Sequence, residues 1–157
     1  MKKLISVIVF IVAFASILFY RSTLREREVV ILSTNDIHAV IDHFPELVTA
    51  VNLCRDTVAT LLVDSGDRWT GNAFIDRTEG RLPIIELMNH VGYDVATLGN
   101  HEFDKGPALL QGAIEYANFP ILCANMQSNT NSLSTLPGSI TLKTRNGVKC
   151  FIIGVVT

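Results

Sequence analysis

The stretch "LGNHEFDKG", Leu98 to Gly106, places an amide, an imidazole and two carboxylates within five consecutive residues, directly after the apolar run "DVATLG". Two earlier apolar runs end in the same manner, one in "TNDIH" and one in "DSGD". Asp36 and His38 are separated by one residue, so a strand that opens into a loop can bring carboxylate and imidazole to one side as a metal-ligand pair. Asp67 follows Gly66, and the missing side chain lets the backbone turn sharply and the carboxylate approach an ion closely. Asn100 follows Gly99 and offers a neutral amide oxygen. Carboxylate, imidazole and amide donors together suit Zn, Mn or Fe better than Ca. His101 cannot easily point where Asn100 points, so it is read as reaching toward substrate. Asp104, three residues on, can accept a hydrogen bond from that imidazole and fix its tautomer. A histidine so held can stabilise phosphate charge or protonate a leaving oxygen.

The elements that must carry these residues alternate regularly. "EVVILSTND" reads as a buried strand with its polar residues at the carboxyl end. From Pro45 to Asp56, Leu47, Val48, Val51 and Cys54 recur at helical spacing. "ATLLVDSGD" is a second buried strand, "RWTGNAFIDRTEG" a long loop, and "RLPIIELMNHV" a helix stopped near Gly92. "DVATLGN", "GPALLQGAIEYA" and "FPILCANM" follow as strand, helix and strand. After a Ser/Asn/Thr-rich loop, "SITLKTRNGVKCFIIGVV" reads as a hairpin turning at Asn146-Gly147. Alternating strands and helices imply a parallel sheet with right-handed crossovers, and such sheets present their sites at the carboxyl ends of the strands. The three polar strand ends should therefore converge on one crevice.

Composition narrows the function classes. The chain has 157 residues, 48% of them hydrophobic, and a formal charge of −2. That is enough for one domain with a core, and no basic block supports binding to duplex nucleic acid. Cys54, Cys123 and Cys150 form no CxxC pair and are read as small core residues. Residues 1–28 differ in kind: Lys2 and Lys3 precede the uncharged run "LISVIVFIVAFASILFY", followed by the charged "RSTLRERE". This is a targeting segment, at the short limit for a spanning helix and long for a signal peptide. Both a cleaved signal and an uncleaved membrane anchor stand open, and either places residues 29–157 outside the cytoplasm, in a secreted, periplasmic or luminal setting.

"TNDIH", "DSGD…G", "GNHEFDKG", "PILCAN" and "IIGVVT", in this order from Val29 to Thr157, resemble the 5′-nucleotidase branch of the calcineurin-like metallophosphoesterases. The resemblance implies an α/β fold, a four-layer αββα sandwich, and two divalent or trivalent metal ions about 4 Å apart. It implies that Asp36 and His38 hold the first ion and Asn100 the second, with Asp67 between them. A hydroxide bridging the ions would attack the phosphorus of a nucleotide or other phosphoester, and His101 with Asp104 would assist.

The departures shape the expectation too. Family members complete such a site with further imidazoles from strands beyond "IIGVVT", and this branch carries a second domain that grips the nucleoside. The chain is therefore expected to be an incomplete sandwich, with an edge beyond "FIIGVV" that invites aggregation. Its alternative function is a catalytically incompetent, membrane-anchored fragment that acts as a binding or structural protein. His43 is read as a loop residue near the site mouth and His90 as a residue favoured at a helix carboxyl end. Ala39 stands where glycine commonly follows the Asp-x-His pattern. Asp64 is expected to accept hydrogen bonds at a strand end, Glu102 to support its loop, Trp69 to pack the loop, and Gly71 to turn it.

Overall fold

The computed structural model describes residues 2–23, 26–78, 82–126 and 135–156. Most of the expected Ser/Asn/Thr-rich loop, the end of the long loop at 79–81, and part of the charged linker lie outside the described residues. Strands β1 (Val29–Thr34), β2 (Ala59–Asp64), β3 (Val95–Thr97) and β4 (Ile121–Leu122) form one parallel sheet in the order β1-β2-β3-β4. Helices α2 (Phe44–Thr57), α4 (Leu82–Val91) and α5 (Pro107–Tyr116) connect them, as the alternation of periods predicts. A short helix, α3 (Ala73–Arg77), interrupts the long loop. Asn72 caps it by accepting a hydrogen bond from the Phe74 amide at 2.9 Å, a start signal too brief to show helical periodicity.

The core lies between this sheet and its helices. Val51 of α2, Ile84, Ile85 and Met88 of α4, and Leu110 and Ala113 of α5 are buried with Leu62, Ala96 and Ile121 of the sheet. Apolar residues three and four apart face the sheet, which is why these segments are helical in context despite β-branched residues among them. β1 corrects the expectation of a fully buried strand. Among the described residues it pairs with β2 alone, and Ile31 is 62% exposed. The hairpin is as expected: β5 (Ser139–Lys143) pairs antiparallel with β6 (Lys149–Ile153), forming a second, two-stranded sheet. Gly147 takes φ +84° in the connection. An apolar cavity of about 290 Å³ separates hairpin from parallel sheet, lined by Leu61, Val63, Val95, Leu122, Phe151 and Ile153 among others. The cysteines are free; Cys123 is buried, whereas Cys54 and Cys150 are half-buried.

Helix α1 (Lys2–Thr23) carries the apolar run, and its described side chains are exposed. Among the described residues, no helix is long and apolar enough to cross a membrane. The arithmetic is close: about 17 uncharged residues at ~1.5 Å each span ~26 Å, against a hydrocarbon core of ~30 Å.

Candidate metal centre

The three polar strand ends do meet, and the backbone between them is irregular in one place only among the described residues. Asp36, His38, Ala39, Asp67 and Thr70, all non-glycine residues, have φ between +47° and +64°. They occupy the loops that leave β1 and β2. Left-handed backbone at non-glycine positions costs roughly 1–3 kcal/mol each and persists where surroundings over-determine it. Here the surroundings are main-chain bonds that continue the pairing beyond the strands. The Asp36 amide donates to the Gly66 carbonyl (3.1 Å), His38 to Asp67 (3.0 Å) and Ala39 to Arg68 (2.9 Å). The β2 and β3 loops approach even more closely. A Cβ on Gly66 would stand 2.3 Å from the Gly99 nitrogen, and one on Gly99 would stand 2.3 Å from Asp67 Oδ1. Both glycines are therefore required by contact, and Gly66 also by its φ of +99°.

The side chains above this crossing are those that the strand ends supplied. His38 Nδ1 donates to the Thr70 carbonyl at 2.8 Å, which fixes the ring and leaves Nε2 as the atom that could ligate an ion. That Nε2 lies 3.7 Å from Asp36 Oδ1. A cation beside both atoms would join them, and a carbonyl-anchored imidazole is the usual state of a metal-ligating histidine. Of the four expected ligands, Asp36 and His38 stand side by side, and a carboxylate with an imidazole is a donor pair that suits a borderline divalent ion. Among the described residues, however, no group of three or more His, Cys, Asp and Glu is gathered closely enough to hold an ion by itself. Asp67 Oδ1 instead accepts the His101 amide at 2.8 Å, and Asn100 is exposed at the start of a 3-10 turn, Asn100–Phe103.

His101 and Asp104 are joined as their spacing predicts. His101 Nδ1 donates to Asp104 Oδ2 at 2.9 Å, which raises the imidazole pKa from its ordinary value and leaves Nε2 directed outward. The His101 ring meets the His38 ring edge to face, with centroids 5.0 Å apart. His43 is exposed at the amino end of α2, beside a shallow apolar cleft that Asp36 also lines. His90 is exposed in the last turn of α4. Trp69 is 1% exposed, so it packs the loop and cannot be a rim contact.

Beneath the site lies a polar network that sequence reading found only in part. Glu102 is buried and accepts three backbone N–H groups: Asp67 (2.9 Å) and Gly99 (2.6 Å) on Oε2, and Arg68 (3.0 Å) on Oε1. Arg68, fully buried, donates through Nε and Nη2 to Asp64 Oδ2 (3.0 and 2.8 Å) and through Nη2 to the Thr97 carbonyl. Asp64 also accepts from Thr34 Oγ1 (2.8 Å), and Thr34 is bonded to the Tyr93 hydroxyl (3.0 Å). Burial raises the Asp64 pKa, against the opposing pull of the Arg68 guanidinium. Burial also opposes the Arg68 charge, but Asp64 and Glu102 outweigh it and hold the guanidinium firmly protonated. Burial pushes the Tyr93 phenol up to about 12. Two carboxylates share one guanidinium here, and the surplus negative charge is solvated by the three amides on Glu102. The signal for Arg68 was available only as a charge four residues after Asp64. Nothing in composition separates that from a solvated surface pair.

A parallel sheet with carboxylate, imidazole and amide donors on its carboxyl-end loops is the scaffold of a metal-dependent hydrolase. The chain belongs to the calcineurin-like phosphoesterase family, whose model matches residues 29–152. Proteins of this family use divalent metal ions and hydrolyse phosphoesters. The similarity lies in its 5′-nucleotidase branch. The snake venom 5′-nucleotidase of Gloydius brevicauda is 35% identical over 131 residues, covering 72% of this chain and 22% of that protein. The 5′-nucleotidase of Bos taurus is 32% identical over 133 residues, covering 73% and 23%. Among solved structures, a 5′-nucleotidase precursor from Thermus thermophilus superposes with a TM-score of 0.75 at 25% identity, covering 81% of this chain and 28% of that one. The chain thus spans less than a quarter of the length of these two curated relatives.

Proposed function

We propose that this chain contributes to a two-metal phosphoester hydrolase that acts on nucleotides, with Asp36, His38, Asp67 and Asn100 as metal ligands. The observation that carries the reading is the His38 ring, anchored through Nδ1 and facing the Asp36 carboxylate with its free Nε2 at 3.7 Å. When bound, ions of the Zn, Mn or Fe type neutralise phosphate charge and activate water. The protein's own part is to hold donors and protons in place. Asp67 would be among the ligands that hold the ions. Its Oδ1 also accepts the His101 amide at 2.8 Å, which ties the loop of Asp67 to the loop of His101. His101, with Nδ1 held by Asp104, presents Nε2 to the phosphate or the leaving oxygen, where a proton can be given up. A four-layer αββα sandwich is proposed for the complete domain, with the hairpin as the start of its second sheet. The apolar segment before Val29 is proposed to direct the protein out of the cytoplasm.

The test uses the full-length protein in which this chain occurs, stripped of metal and reloaded with Mn or Zn, with phosphate release from AMP as the assay. Asp67→Asn should lose both metal and activity. His101→Ala should keep its metal and lose rate by roughly 10²- to 10⁴-fold. Full metal content and full activity in Asp67→Asn would refute the reading.

A further inference from the structure

Both imidazoles of the site are wired to one residue, Thr70, which stands outside the sequence motifs: His38 directly and His101 through Asp104. Its carbonyl accepts from His38 Nδ1 at 2.8 Å, and its hydroxyl donates to Asp104 Oδ2 at 2.7 Å, the same oxygen that accepts from His101 Nδ1. Thr70 holds φ +64°, a conformation a β-branched residue rarely adopts. A strained residue that joins two functional groups is an observation from which function can be argued. The strain has a geometric purpose: it turns carbonyl and hydroxyl of one residue toward two different histidines whose rings stand 5.0 Å apart.

We infer that Thr70 is a positioning residue that sets the two histidines relative to each other, its carbonyl orienting His38 toward metal and its hydroxyl orienting Asp104, and through it His101, toward substrate. The inference rests on the proposed reading of the site, which gives the two histidines those roles. The two halves of Thr70 are separable. The carbonyl belongs to the main chain and survives any side-chain exchange, whereas the hydroxyl does not. Removing the hydroxyl therefore takes one hydrogen bond from Asp104 Oδ2, so that His101 is held less firmly while His38 keeps its bond to the carbonyl.

Thr70→Val retains shape and β-branching and deletes only the hydroxyl; Thr70→Ser returns it. In the full-length protein, Thr70→Val should lower kcat about ten- to a hundredfold, the scale of a lost supporting hydrogen bond at such sites, with Mn affinity unchanged. Thr70→Ser should restore most of the rate. A second readout needs neither metal nor turnover: imidazole ¹H–¹⁵N spectra of the metal-free protein. The Nδ1–H signal of His101 should exchange faster with water in Thr70→Val and recover in Thr70→Ser, while His38 stays in its Nδ1–H tautomer throughout. An unchanged His101 signal in Thr70→Val, a loss shared equally by His38, or a serine variant as impaired as valine would overturn the inference. If the spectra behave as expected and the wild-type protein hydrolyses no phosphoester, the wiring stands and the functional reading fails.

Discussion

Glu102→Gln isolates what the buried carboxylate contributes, because the two side chains have nearly the same shape. Glu102 Oε2 serves two amides, of Asp67 and Gly99, and Oε1 serves the Arg68 amide and lies 4.0 Å from Arg68 Nη1. A glutamine does best by keeping its oxygen on the paired amides. Its NH₂ group then opposes the Arg68 N–H and guanidinium. One charge-assisted bond worth about 1.5–3 kcal/mol is lost and a buried N–H is left unpaired at a further ~1–3 kcal/mol. The guanidinium also loses one of its two counter-charges. Together these give a destabilisation of about 3–5 kcal/mol, the range for breaking a buried ion pair. Against a total stability of roughly 5–15 kcal/mol this is a large fraction. Denaturant unfolding of wild type and variant reads it directly, as a lower midpoint at unchanged slope. Because Asp67 and Gly99 flank the ligand loops, Mn affinity measured calorimetrically on the folded variant should also fall about 10- to 100-fold. A loss of stability below ~1 kcal/mol, with affinity intact, would refute the claim that this carboxylate holds the loops together.

Two further outcomes follow from the same geometry. Gly66→Ala places a methyl 2.3 Å from the Gly99 nitrogen at φ +99°, so the crossing of the two loops must open; we expect a loss of at least ~2 kcal/mol in unfolding experiments, with Ser65→Ala, on an exposed side chain, near zero. In the metal-free protein, the His101 midpoint should lie above its ordinary value because the hydrogen bond to Asp104 holds its proton, and Asp104→Asn should bring the midpoint down. A raised folded-state value means that this pair's stabilisation is fully present below the unfolded pKa and fades as pH rises through the folded one; NMR titration of wild type and variant checks both statements.

The parts of this molecule that were legible in its sequence are those governed by repetition or by glycine. Helices α2, α4 and α5 follow from apolar spacing, the hairpin from Asn146-Gly147, and the sharp turn before Asp67 from Gly66. The pairing of His101 with Asp104 followed from a separation that a tight turn closes. What stayed hidden depends on single backbone angles and on partners distant in the chain. No periodic pattern marks Thr70 or Ala39 as left-handed, since both types normally avoid that region. Arg68 reads as a surface charge until the Thr97 carbonyl and Asp64 are brought around it. The exposure of Ile31 was equally invisible, because an apolar run does not reveal on how many sides its strand has neighbours. β3 and β4 came out short for a related reason: the chain leaves the ladder as soon as the loops take over the hydrogen bonding.

The zipping of the β1 loop onto the β2 loop, through the amides of Asp36, His38 and Ala39, uses main-chain atoms alone. The pairing of these two loops with each other thus does not use the side chains at positions 36 and 38. A carboxylate at position 36 or an imidazole at position 38 can be exchanged for another donor while the course of the chain persists. If these side chains hold an ion as proposed, selectivity for one ion over another becomes a property that substitution can tune with the loop pairing left in place.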